Sequence, residues 1–133
     1  MLALNAVKAT VKILEEDPTF NAGRGAFLNA VGEIELDAII CDGRTLDFGA
    51  VAAIQIILHS VSAARLVLKK SEHYLVVGRG TMAFLRNQGI QEVPIEELLT
   101  EWERDFYIKI KNDPNFTTRE PFEPYPKVTV DVL

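Results

Sequence analysis

Residues 15–38 read EEDPTFNAGRGAFLNAVGEIELDA, and the fold turns on how that passage is parsed. Pro18 cannot continue a helix, because it lacks an N–H and its ring crowds the preceding turn. Gly23 and Gly25 free the backbone to take positive φ, so residues 17–25 form a tight loop. Within it Asn21 carries a donor and an acceptor on one amide, and a curl of carbonyls of this kind can hold a hard cation. The plain alternative is a connector from helix to strand.

Working outward, Leu4, Val7, Val11 and Leu14 recur at helical spacing, which predicts an amphipathic helix over residues 2–16. On the other side Glu33, Glu35 and Asp37 alternate with Ile34, Leu36 and Ala38, predicting a strand from Gly32 to Cys41. Phe48 to Leu58 is apolar almost throughout, as expected of a strand covered on both faces. CDGRTLDFG, residues 41–49, would join the two as a hairpin. Ser60 would cap a helix over residues 60–70, whose terminal lysines suit its dipole. HYLVVG predicts a strand, and TMAFLRNQG a helix ended by Gly89. Pro94 opens a last helix in which Ile95, Leu98, Leu99, Trp102, Phe106 and Ile110 share a face. The order predicts an α/β arrangement of helices on a sheet. Residues 1–111 make the domain, and residues 112–133, with four prolines, read as a linker or tail.

The bulk properties exclude several function classes. With 133 residues, 48% of them hydrophobic and 25% charged, there is material for one domain with a core. A net charge of −5 with scattered basic residues argues against a nucleic-acid partner. The longest apolar stretch, residues 49–58, is about half of what a membrane span needs, so no membrane partner is expected. The N-terminus has no basic start and no small-residue cleavage site, so no signal peptide is expected. Cys41, the only cysteine, reads as a small core residue in a reducing compartment, and the location expected is cytoplasmic.

Other motifs have ordinary readings beside the chemical ones. VGRGTMA, residues 77–83, fits G-x-G-x-x-A after a strand, but the expected acidic residue does not end a following strand. Gly78 and Gly80 then serve a strand-to-helix turn. His59 and His73 do not stand at metal-ligand spacing. Glu35 and Asp37 lie on one side of a strand, as a carboxylate pair or as a polar face. Asn115-Phe116-Thr117 matches a glycosylation acceptor by chance, and no nucleophile elbow is present.

LEEDPTFNAGRGAFLNAVGEIELDA, CDGRTLDFGAVAA, SAARLVLKKSEHYLVVGRG and FLRNQGI together resemble the plant-type asparaginase and isoaspartyl aminopeptidase family of threonine-dependent N-terminal nucleophile hydrolases. The likeness covers roughly residues 3–91, in the family's order and spacing. It implies an α+β fold of four layers, αββα, of which this chain is the incomplete, α-chain-like half. It also implies a threonine nucleophile on a β chain, freed by self-cleavage, that attacks asparagine side-chain amides or β-aspartyl dipeptides. By the same resemblance the main-chain carbonyls of Leu14, Glu15, Asp17, Phe20, Ala22 and Arg24 would bind a structural sodium ion, and Asn21 would order the nucleophile. No other cofactor is implied. The partners implied are a β chain of the family and a small substrate, asparagine or an isoaspartyl dipeptide, with oligomers expected.

The chain departs from the family pattern in lacking the N-terminal strand with its His-Gly-Gly run and the Thr-Val-Gly site. Thr129 in KVTVDVL is preceded by Val128 and is not expected to act as a nucleophile. HSVSAA stands where relatives commonly have Asn-Pro, a change in a helix cap. Alone, the chain is expected to be inactive. The rival expectation is a catalytically dead relative whose helices bind a partner.

Overall fold

A computed structural model describes residues 3–116. Helix α1 (Ala3–Glu16) leads through the 17–25 loop to strand β1 (Leu36–Asp42), strand β2 (Asp47–Ile54), helix α2 (Ser60–Lys70), strand β3 (Leu75–Val77) and helix α3 (Arg79–Asn87). A 3-10 turn (Ile95–Glu97) and helix α4 (Glu101–Asn112) complete it. The three strands form one sheet in the order β1-β2-β3. The β1–β2 pair is the expected antiparallel hairpin, and β3 returns parallel to β2 through α2.

The sheet starts later than the alternation suggests. Asn29 Oδ1 accepts the N–H groups of Val31 and Glu33, and Gly32 takes positive φ, so residues 29–33 turn before pairing begins. Only an isolated bridge, Leu28 to Ile34, precedes β1. At the far end β2 stops at Ile54 rather than Leu58, because its partner Leu36 is the first residue of β1 and Ile56 takes positive φ. Leu36 pairs with Ile54 and Ala38 with Val51, so two residues on β2 oppose one on β1. This is a β-bulge, and the carboxylate of Asp37 accepts the N–H of Ala53 at 2.8 Å across it.

Helix α2 lies on one face of the sheet. Gly49 permits this approach: a Cβ there would stand 2.4 Å from both Ala64 O and Leu68 N. Ile40, Val51, Ile54, Val61, Ala64 and Val67 fill the layer between, all buried. The opposite face carries Ile39, Cys41, Phe48, Leu75 and Val77, since cross-strand partners share a side and Ile39 faces Ala50 while Cys41 faces Phe48. That face is open among the described residues: Ile39 is 60% exposed and Val77 55%. Cys41 is exposed there too, contrary to its reading as a core residue. β2 is therefore covered on one face, not two.

Two helix ends behave as read and two do not. At the end of α3 Gly89 has positive φ, its N–H reaches Arg86 O, and the Ile90 N–H reaches Leu85 O, which is a Schellman motif. Gly78 likewise takes positive φ ahead of α3, whereas Gly80 lies inside the helix with open space around it. Ser60 is the first residue of α2, not its cap; His59 holds the cap position. The last helix is broken in two, with Thr100 extended between the 3-10 turn and α4. The break leaves the Leu98 carbonyl free to accept the Gly25 N–H at 2.8 Å. Among the described residues no helix is long and apolar enough to cross a membrane.

Candidate functional site

The 17–25 loop is a curl closed by its own groups. Asp17 Oδ1 accepts the Thr19 N–H at 2.9 Å and the Thr19 hydroxyl at 2.7 Å, an Asx-turn that carries the chain past Pro18. These bonds, the backbone one first, hold the Asp17 carboxyl below the usual carboxylate range. The Glu15 carbonyl accepts the Arg24 N–H at 2.8 Å across the curl. Gly23, at φ +55°, sits where a Cβ would lie 2.4 Å from Glu15 O and 2.6 Å from Leu58 O. Gly25, at φ +87°, has the Pro18 carbonyl at 2.5 Å from the same position. Both glycines are thus required by conformation and by space.

Each limb of the curl is tied to a different element. At its start the buried Glu15 side chain, 2% exposed, accepts the Ser60 hydroxyl at 2.6 Å and the Val61 N–H at 2.8 Å through Oε1. Its Oε2 lies 3.3 Å from His59 Nδ1, and Nε2 of that ring lies 3.1 Å from Glu16 Oε1. At its end Phe27 packs on Trp102 and Phe106 of α4, with centroids 5.8 and 5.9 Å apart. Asn21 Oδ1 accepts the Phe27 N–H at 2.9 Å. With its oxygen so engaged, the exposed side chain keeps two N–H donors for other partners.

Asn21 lines a groove of ≈ 360 Å³, walled by Val7, Val11 and Leu14 of α1, Phe20, the first residues of β1 and Val61. Val7 and Leu14, on the apolar side expected of the amphipathic helix, are 51% and 38% exposed. The groove is open and apolar, with a few polar points, Asn21 and Asp37 among them.

Of the six residues expected to offer carbonyls to sodium, Leu14, Glu15 and Asp17 already accept one backbone N–H each, from Asp17, Arg24 and Phe20. A carbonyl has two lone pairs, so each keeps one for a cation. Phe20 and Ala22 border the groove beside Asn21. Main-chain oxygens of this kind are the donor type that a hard cation takes. Among the described residues no group of three or more His, Cys, Asp or Glu side chains could hold a metal.

The other sequence candidates separate into structural duties. Glu35 accepts Asn29 Nδ2 at 3.0 Å, while Asp37 serves the bulge, so each of the two carboxylates has its own partner. His73 lies in the turn before β3, where its N–H and carbonyl both bond Ser71 Oγ. Thr129 and the Thr117 of the glycosylation pattern lie outside the described residues. The roles of the Glu15 side chain and of His59 are absent from the sequence reading. Glu15 meets Ser60 and Val61 from 45 and 46 residues away, and His59 meets Glu15 and Glu16 of α1, with no local spacing to mark them.

Fold and site together define an α+β chain, with helices backing one face of a small sheet and a braced asparagine loop beside its edge strand. The asparaginase family profile matches residues 1–130. Isoaspartyl peptidase/L-asparaginases of Xenopus laevis and Danio rerio are 49% and 47% identical over 107 and 100 residues, 80% and 75% of this chain. They are matched over 35% and 32% of their own lengths. A plant-type L-asparaginase of Thermococcus kodakarensis is 48% identical over 76% of this chain and 34% of its own. The chain belongs to the asparaginase family, and that membership implies an N-terminal nucleophile hydrolase fold. It spans about a third of the length of these relatives.

Proposed function

We propose that this chain supplies the supporting, α-chain-like half of an asparaginase or isoaspartyl aminopeptidase, the nucleophilic threonine being carried by a β chain of the family. The observation that carries the reading is Asn21. Its oxygen is occupied by the Phe27 N–H, and its donors are offered at the rim of a groove beside an uncovered sheet. A fixed amide donor next to a hydroxyl nucleophile orients that oxygen and stabilises charge developing on it, without reorganising at the moment of reaction. Carbonyls of Leu14, Glu15, Asp17, Phe20, Ala22 and Arg24 would hold a sodium ion that braces the curl electrostatically. The open apolar face of Ile39, Phe48, Leu75 and Val77 is the surface on which a second sheet would stack, completing four layers. Asparagine and β-aspartyl dipeptides both present a side-chain amide bond for such a threonine to attack.

The test mixes the chain with a family β chain and follows hydrolysis of both substrates. Asn21→Ala is expected to lower kcat by roughly ten- to a hundredfold with a smaller effect on KM, as for loss of a transition-state donor. An unchanged kcat would remove Asn21 from the reaction and this reading with it.

A further inference from the structure

We infer that Glu15 and His59 are positioning residues, which hold the Asn21 curl in register with helix α2 by a side-chain strap separate from the carbonyls offered to a cation. The carboxylate of Glu15 is buried, and the cost of burying it is offset by donors to it; among the described residues Oε2 has no hydrogen bond, only the His59 ring 3.3 Å away. Here Oε1 takes two, the Ser60 hydroxyl at 2.6 Å and the Val61 N–H at 2.8 Å. The second of these is a free N–H of the first turn of α2, so Glu15 does from α1 what a local cap residue would do. His59, in the cap position, makes no side-chain cap of its own. Its ring instead reaches back to Glu16 Oε1 at 3.1 Å, and its Nδ1 lies 3.3 Å from Glu15 Oε2 without a hydrogen bond between them.

The geometry connects the strap to the curl through a single residue. Glu15 is fixed to α2 by its side chain and to the curl by its carbonyl, which accepts the Arg24 N–H at 2.8 Å. The contact is close enough that the Leu58 carbonyl, two residues before the start of α2, stands 2.6 Å from where a Gly23 Cβ would be. Any shift of Glu15 away from α2 therefore moves the Arg24 bond, and with it the Asn21–Phe27 bond three residues on. The orientation of Asn21 depends on residues that touch neither substrate nor nucleophile. That consequence rests on the function proposed for Asn21; the strap itself does not.

Native-state hydrogen exchange on the intact chain tests the inference, reading the Arg24 and Phe27 amides against those paired between β1 and β2. In Glu15→Ala, exchange at Arg24 and Phe27 is expected to rise at least about tenfold while the β1–β2 amides stay within about threefold. Glu15→Gln retains an oxygen for Ser60 and Val61 and should restore most of the protection. His59→Ala, a milder change at a partly exposed ring, should raise the same two amides about threefold, and it carries the test if Glu15→Ala does not fold. A uniform rise across all amides in Glu15→Ala, equal losses in the Gln and Ala variants, or no change at Arg24 and Phe27 in His59→Ala would overturn the inference. Since no β chain is needed, a failure of hydrolysis in the mixed assay leaves this result standing and counts against the proposed function alone.

Discussion

Gly23 leaves no room for a side chain, and two consequences follow at the scale of single residues. Gly23→Ala forces a Cβ onto two backbone oxygens at a φ that L-residues rarely adopt, and should destabilise the chain by about 2–3 kcal/mol in denaturant unfolding. A loss under 1 kcal/mol would mean that the curl relaxes at little cost. Glu103, buried at the start of α4, has its carboxyl pushed above its ordinary value of 4.5 chiefly by burial, with partial relief from its own and Thr100's backbone N–H groups. The folded chain therefore favours the protonated form. That contribution to stability is complete below the ordinary value and is lost as pH rises through the raised one. Glu103→Gln, neutral throughout, should lose less stability than the wild type over that interval, and parallel Tm–pH curves for the two would contradict the assignment. What was legible at this scale was conformational: the two glycines and Pro18 declare a curl without any partner. Glu15 was not legible as a cap, because its acceptor role depends on Ser60 and Val61 arriving from another helix.

Elements were readable where their cause is local and misjudged where tertiary bonds decide. The hairpin and α3 were read correctly, since an Asp-Gly turn and a terminal Gly89 act within a few residues. The single helix read from Pro94 to Ile110 failed, although Thr100 and Glu103 stand at capping-box spacing and could have marked the start of α4. The break also serves the site by freeing Leu98 O for Gly25. β2 was read too long because its apolar run continues past Ile54, whereas β1 begins only at Leu36, the partner of Ile54, and Ile56 takes positive φ, so the pairing ends there. Asp37→Ala should cost about 1 kcal/mol by leaving the Ala53 N–H without its acceptor. The accompanying loss of amide protection should centre on Ala53, and protection unchanged there would show that the bulge holds itself.

For the whole molecule, the decisive feature is a sheet with helices on one side and an apolar surface on the other. Ile39, Phe48, Leu75 and Val77 lie together on it, with Tyr74 stacked on Phe48 at 5.0 Å. Among the described residues both β1 and β3 are edge strands. Such a surface invites association, so the chain on its own should form oligomers in light scattering, and Ile39→Lys with Val77→Lys should shift it towards monomer. A wild-type monomer that melts cooperatively would contradict the expectation of a missing cover. The most direct measurement is hydrolysis of a β-aspartyl dipeptide by the chain alone and after addition of a family β chain. Activity should appear only in the mixture; a folded mixture with no hydrolysis, or turnover by the chain alone, would contradict the assignment of a supporting half.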